Sequence, residues 1–134
     1  MCNGQVKISY KFGKDERLSS KKRINQLFTK GKSFIAFPLR VIYAPRSDES
    51  MPPVSVLVNV PKRKIKIVPK RNKVKRLIRE AYRLNKHKLI EQIGRDQALD
   101  LAFLYLHNEP LSFREINDSV LKAIAKIKVY LGEK

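Results

Sequence analysis

The chain has 134 residues, 43% of them hydrophobic, and 30 Lys and Arg against 12 Asp and Glu give it a formal net charge of +18 and a pI near 10.3. That apolar fraction can close a modest core, which excludes a disordered basic tail, and the excess charge on the surface calls for a polyanionic partner, nucleic acid before an acidic membrane. A single cysteine, Cys2, excludes an internal disulfide and a Cys-rich zinc site and fits a reducing, cytoplasmic setting.

Residues 1–17 read as an irregular basic arm without an apolar run of signal-peptide length. The longest purely apolar run is the six residues from Leu101 to Leu106, so no segment is expected to cross a membrane. Ser19 or Ser20 can cap a short helix that carries Ile24, Leu27 and Phe28 on one face and stops at Gly31, a residue suited to a left-handed C-terminal position. Residues 37–44, FPLRVIYA, and 54–60, VSVLVNV, alternate at period two, and the proline-rich nine residues between them predict a hairpin. Val54, Val56, Val58 and Val60 then face the core with Leu39 and Val41. Ser55, Asn59, Arg40 and Ile42 fall on the opposite sheet face, which is left open to a ligand.

Residues 70–90 carry the strongest helical periodicity. Val74, Leu77, Ile78, Ala81 and Leu84 share one side, while Asn72, Arg76, Arg79, Arg83 and Lys86 gather on the other, and Pro69 suits the first turn. The charge is concentrated here: residues 61–90 hold 13 basic and 1 acidic side chains, against 11 and 4 in residues 1–60 and 6 and 7 in residues 91–134. A concentration of that kind marks a face whose affinity comes from counterion release rather than a solvated charge run. The nearly all-apolar LDLAFLYL, residues 99–106, predicts the buried centre of a sheet. Ser112 and Glu115 form a capping box before a stripe of Phe113, Ile116, Val120, Ala123, Ile124, Ile127 and Leu131. The sum is one domain over residues 1–134, of α+β class: a small sandwich of helices packed on a mixed sheet.

Chemistry of the chain's own is not visible. His87, expected to be exposed, and His107, expected to be structural, have no partner at metal-ligand spacing; the five glycines are too scattered for a phosphate loop; and the carboxylate pairs lie in arm and loop. No catalytic residue, no metal site and no organic cofactor are assigned to it.

The stretch PKRKIKIVPKRNKVKRLIREAYRLNK, residues 61–86, resembles the signature of the bacterial ribonuclease P protein subunit: a basic loop, Arg-Asn-Arg, then a helix with Lys-Arg, Arg-Glu, Ala and an aromatic. It is matched by Arg71, Asn72, Lys73, Lys75, Arg76, Arg79, Glu80, Ala81 and Tyr82, with Lys73 where the family has arginine and a loop over 62–70 that lacks the family's usual glycine. Arg17, Leu18, Ile24, Phe28, Gly31 and Lys32 resemble the family's opening pattern, and residues 12–130 fit as a whole.

The resemblance implies a small protein bound to a large catalytic RNA that, with Mg²⁺ held mainly by the RNA, removes the 5′ leader of precursor tRNA. It also implies a left-handed strand-helix-strand crossover, against the usual rule. Contacts to the RNA subunit would come from Lys62, Arg63, Lys70, Arg71, Asn72, Lys73, Lys75, Arg76, Arg79 and Arg83, and the leader would lie in a cleft of Lys21, Ile24, Phe28, Arg40, Ile42 and Asn59. Phe28 shares a face with Ile24, and at this point both a core position and a channel position are open to it. The alternative function is a stand-alone RNA-binding or ribosomal-type protein with no role in cleavage. A membrane-surface role fits less well, because basic and apolar helix faces are opposed and the core needs the apolar one.

Overall fold

A computed structural model describes residues 17–18, 21–46, 54–93 and 98–132. The basic arm up to residue 16 and the capping serines Ser19 and Ser20 lie outside the described residues, as does the side chain of Leu131. In chain order the elements are α1 (Lys21–Lys30), β1 (Lys32–Ala36), β2 (Leu39–Arg46), β3 (Val54–Asn59), α2 (Val68–Ile93), β4 (Ala98–Tyr105) and α3 (Phe113–Gly132).

The four strands form one mixed sheet in the order β1-β2-β4-β3. This corrects the expected hairpin. Strands β2 and β3 do not pair, because β4 lies between them, antiparallel to β2 and parallel to β3. The hairpin is instead β1 with β2, turning at Phe37 and Pro38. Strand β1 escaped the sequence reading because KSFIA is a five-residue edge strand with only Ala36 buried. Two parallel neighbours need a long connection, and α2 supplies it between β3 and β4.

The first six of the eight residues of β4 are buried without interruption, as expected for a strand covered on both faces. On one face α2 and α3 pack over Leu39, Val41, Val54, Val56, Leu101 and Phe103 with Val74, Ile78, Ala81, Tyr82, Ile116, Val120, Ile124 and Ile127. Val58 joins that core from its edge. The capping box holds in its first half, since the Glu115 backbone N–H donates to Ser112 Oγ at 3.2 Å.

The buried arc of α2 departs from expectation at two positions. Leu84 is 37% exposed, whereas Lys86, expected on the basic face, is 3% exposed. The cause is α3: Asn85 Nδ2 donates to Asn117 Oδ1 of α3 at 2.8 Å, so the covered arc is rotated toward Tyr82, Asn85 and Lys86 and away from Leu84. Half-buried His87 also lies less open than expected, and His107 meets the Phe37 ring edge-on at 5.7 Å.

On the other sheet face a smaller cluster of Leu18, Leu27, Ile42 and Ala102 seats α1, with Ile24, Ala44, Leu57 and Leu104 at its margin. Leu18 is tied down by its N–H, which donates to the Val56 carbonyl at 2.8 Å. Gly31 corrects a second expectation, since its backbone is not left-handed. A Cβ at that position would collide with the Leu27 carbonyl oxygen of the last turn of α1 and would sit 2.9 Å from Ile42 Cγ2 and 3.1 Å from the Tyr43 carbonyl, so glycine is required by the crowding of the helix end first and of β2 second.

Tyr105 closes the end of β4. Its hydroxyl donates to the Glu109 carbonyl at 2.7 Å and accepts from the Leu111 N–H at 3.1 Å, pinning the turn into α3. Burial pushes this phenol up to about 12 from its ordinary 10.0. A raised pKa means the folded state prefers the protonated phenol. Stability from this group is therefore present below pH 10 and is lost as pH rises toward about 12. In Tyr105→Phe the chain is expected to be less stable at neutral pH by about 1 kcal/mol, the usual worth of a hydrogen-bonded hydroxyl. Urea titrations between pH 8 and 12 should show a steep alkaline loss in the parent chain and a shallower one in the variant; parallel curves would contradict this account.

Candidate nucleic-acid interface

The segment between β3 and α2 folds without glycine. The N–H groups of Lys64 and Ile65 donate to the Pro61 carbonyl at 3.0 and 3.2 Å, Ile65 is buried as an anchor, and no described non-glycine residue has a positive φ. Arg71, on the first turn of α2, donates from Nη1 to the Ile65 carbonyl at 3.3 Å. It thus holds the basic loop against its own helix. The loop's Arg63, Lys64, Lys66 and Lys70 rim a surface hollow that Asn108 and Glu109 of the β4–α3 turn close on the far side.

Along α2, Asn72, Lys73 and Arg76 are exposed and Lys75, Arg79 and Arg83 are half-buried. Residues 72, 76, 79 and 83 recur at three- and four-residue steps, so they form one stripe opposite the buried arc. Arg17, which the sequence reading left out of the site, completes it: with Arg76, Arg79, Glu80 and Arg83 it lines one cleft of about 270 Å³. The bridge between Arg17 and Val56 of β3 carries Arg17 there, a placement that no spacing in the sequence reveals. Burial, and then the Arg17 guanidinium, hold Arg79 below the usual arginine range. Within the stripe Arg83 Nε donates to Glu80 Oε1 at 2.5 Å, which draws the Glu80 carboxyl below its ordinary value and raises Arg83. Such a face meets a phosphate backbone by charge and by guanidinium hydrogen bonds.

The second surface lies on the α1 side of the sheet. Strand register places Ile35, Arg40, Leu104 and Asn59 in one row across all four strands, next to the row of Ser33, Ile42, Ala102 and Leu57. Helix α1 covers Ile42, Ala102 and Leu57 of the latter and reaches only the half-buried Leu104 of the former, where Ile35 is 60% exposed and Arg40 and Asn59 are exposed. Of the expected cleft residues, Lys21 and Phe28 are exposed and Ile24 is half-buried. Ile42, in contrast, is 6% exposed and belongs to the floor under α1 rather than to an accessible wall. Phe28 is 45% exposed, so the core position is excluded for it. Ile35 and Leu104 were missed by the sequence reading. The short apolar run Phe34-Ile35-Ala36 between Gly31 and Pro38 was the available signal for Ile35.

Among the described residues no group of three or more His, Cys, Asp or Glu side chains comes together, and no helix is long and apolar enough to cross a membrane.

The Ribonuclease P family profile matches residues 12–128. The chain belongs to the ribonuclease P protein family. A ribonuclease P protein component from Porphyromonas gingivalis is 38% identical over 120 residues, covering 89% of this chain and 88% of its own. One from Petrotoga mobilis is 31% identical over 124 residues, covering 87% and 95%. The fold is that of the ribonuclease P protein from Staphylococcus aureus, with a TM-score of 0.65 at 22% identity over 85% of this chain and 95% of that one. It is equally that of the Thermotoga maritima protein, with a TM-score of 0.64 at 22% identity over 83% and 96%. As a ribonuclease P protein the chain is a subunit of an endoribonuclease holoenzyme with an RNA partner, which decides against the ribosomal-type alternative.

Replacing Arg76 and Arg79 by Ala removes two stripe cations and leaves Val74 and Ile78 packed. RNA held on this face is expected to bind more weakly, with a log-log salt slope shallower by about one unit per lost phosphate contact. Binding isotherms at several salt concentrations measure it, and an unchanged slope would place the two arginines off the RNA.

Proposed function

We propose that the chain grips the catalytic RNA subunit with the α2 stripe and the basic loop. The single-stranded 5′ leader of precursor tRNA is held in the groove between α1 and the uncovered sheet row, which assists endonucleolytic removal of the leader to give the mature tRNA 5′ end. What supports this reading is the division of the surface. The loop offers Lys62 and Arg63 and the α2 face Lys70, Asn72, Lys73, Lys75, Arg76, Arg79 and Arg83, with Arg71 bracing the loop behind them. Charge at that density suits a structured polyanion. The α1 side offers an exposed aromatic, an exposed isoleucine, one guanidinium and one amide, the mixture that unstacked nucleotides require.

Lys21, Ile24 and Phe28 follow one another at three and four residues along α1 and would form one wall of the groove, with Ile35, Arg40, Leu104 and Asn59 as the other. Phe28 would stack on a leader base and Arg40 would take a phosphate. Mg²⁺ bound by the RNA would supply the activated water for hydrolysis. The described residues of this chain offer no ligand cluster for the ion, so its own part is to bind, orient and hold the substrate strand. A cytoplasmic location goes with this substrate.

The experiment uses holoenzyme reconstituted with the cognate RNA subunit. Precursor tRNA with a 5′ leader is expected to bind more tightly than mature tRNA, and Phe28→Ala is expected to remove about 1–3 kcal/mol of that difference, the worth of one stacked base. Because Phe28 is 45% exposed, the melting temperature should be nearly unchanged. Equal affinities for the two tRNAs in the parent holoenzyme would contradict the reading.

A further inference from the structure

Helix α1 rests on little. Its buried apolar cluster has four members, of which only Leu27 comes from the helix itself. Beside that cluster Arg23, in the first turn, reaches Asp100 of the central strand with both ends of its fork: Nη2 donates to Oδ1, and Nε donates to Oδ2 at 3.3 Å. The Asp100 side chain is 9% exposed and that of Arg23 33%. Asp100 occupies the sheet row of Ala44 and Ser55, the next row beyond the cluster floor.

Residues 23, 27 and 31 lie four apart, so Arg23, Leu27 and Gly31 form one seating stripe along the sheet-facing side of α1. Each is fixed differently: Arg23 by the carboxylate, Leu27 by burial at 1% exposure, Gly31 by its contact distance from β2. Ile24 and Phe28 are each one residue on, about 100° around the helix, and form the neighbouring stripe. A roll of α1 about its axis therefore moves Phe28 directly. Leucine in an apolar seat tolerates such a roll, because dispersion is not directional. A two-point guanidinium-carboxylate fork does not.

We propose that Arg23 and Asp100 are positioning residues for substrate selection. Their ion pair sets the roll of α1 and thereby the height of Phe28 over the uncovered sheet row, so that it controls how strongly the holoenzyme distinguishes leader-bearing tRNA from leaderless tRNA. The proposal rests on the groove reading above. Neither side chain touches nucleotide in this account. The pair is also separate from the α2 face, so gripping the RNA subunit does not depend on it.

The test uses reconstituted holoenzyme and two variants. In Arg23→Gln/Asp100→Asn both charges go together, so no carboxylate is left buried and unpaired, the case that most endangers folding. In Arg23→Lys the charge stays and the two-point fork is lost. Three quantities are measured for each: affinity for the RNA subunit, affinity for precursor tRNA, and affinity for mature tRNA. The double variant is expected to lose about tenfold of the ratio between the two tRNA affinities, the share of one stacked base, with RNA-subunit affinity unchanged. Arg23→Lys is expected to show a smaller loss in the same ratio. A ratio preserved in both variants while the parent holoenzyme shows leader dependence overturns this proposal alone. A parallel fall in RNA-subunit affinity also overturns it, by assigning the pair to general stability. Absence of leader dependence in the parent holoenzyme removes the groove reading and this proposal with it.

Discussion

Strand β4 carries apolar residues at both parities, and a strand of that kind is stable only where both of its faces are covered and both of its edges are paired. The rest of the molecule follows from meeting that demand. Pairing on one side brings β2 and on the other β3, and since β3 runs parallel to β4 the chain must cross the sheet between them with a long helix. That helix is α2. Packing Val74, Ile78, Ala81 and Tyr82 against the sheet points Asn72, Arg76 and Arg83 outward, so the basic face follows from covering the strand.

The opposite face of β4 is covered less completely. Apolar cover by α1 runs over Ile42, Ala102 and Leu57 and thins out at the half-buried Leu104, leaving Arg40 and Asn59 on either side of it exposed. The buried carboxylate of Asp100 is tolerated in this face because Arg23 meets it with paired hydrogen bonds; a charge in such a place without a partner would cost several kcal/mol. An ion pair and a small apolar cluster together keep α1 in place, with Phe28 on its exposed flank.

Much of this was legible in the residues. The period-two valines of β3, the continuous apolar run of β4 and the stripe of α3 each predicted the element that formed, because local pattern and tertiary burial agree there. Pairing order was not legible. Strands β2 and β3 are consecutive in sequence and joined by a turn-rich segment, and nothing local says that a strand forty residues later inserts between them. Helical periodicity gave the face of α2 but not its edges, since the reach of α3 over Asn85 and Lys86 depends on a partner far along the chain. Arg17 belongs to the basic cleft for a reason of the same kind: a bridge to Val56 puts it there. Gly31 suited a left-handed turn that it does not adopt; the crowding by the Leu27 carbonyl and Ile42 that calls for glycine leaves no trace in local sequence. The exposed Phe28, Arg40 and Asn59 could be named from parity and resemblance, whereas Ile42 went to the floor under α1 and Ile35, which no pattern singled out, lies exposed beside Arg40.

If this chain holds RNA for chemistry carried out elsewhere, reconstitution with the RNA subunit will show it. The cognate RNA subunit would be incubated with precursor tRNA at low Mg²⁺, with and without this protein, and cleavage at the mature 5′ end followed over time. The account predicts cleavage that requires both components, with none from the protein alone. Equal cleavage by the RNA with or without the protein, or Mg²⁺-dependent cleavage by the RNA-free protein, would contradict it.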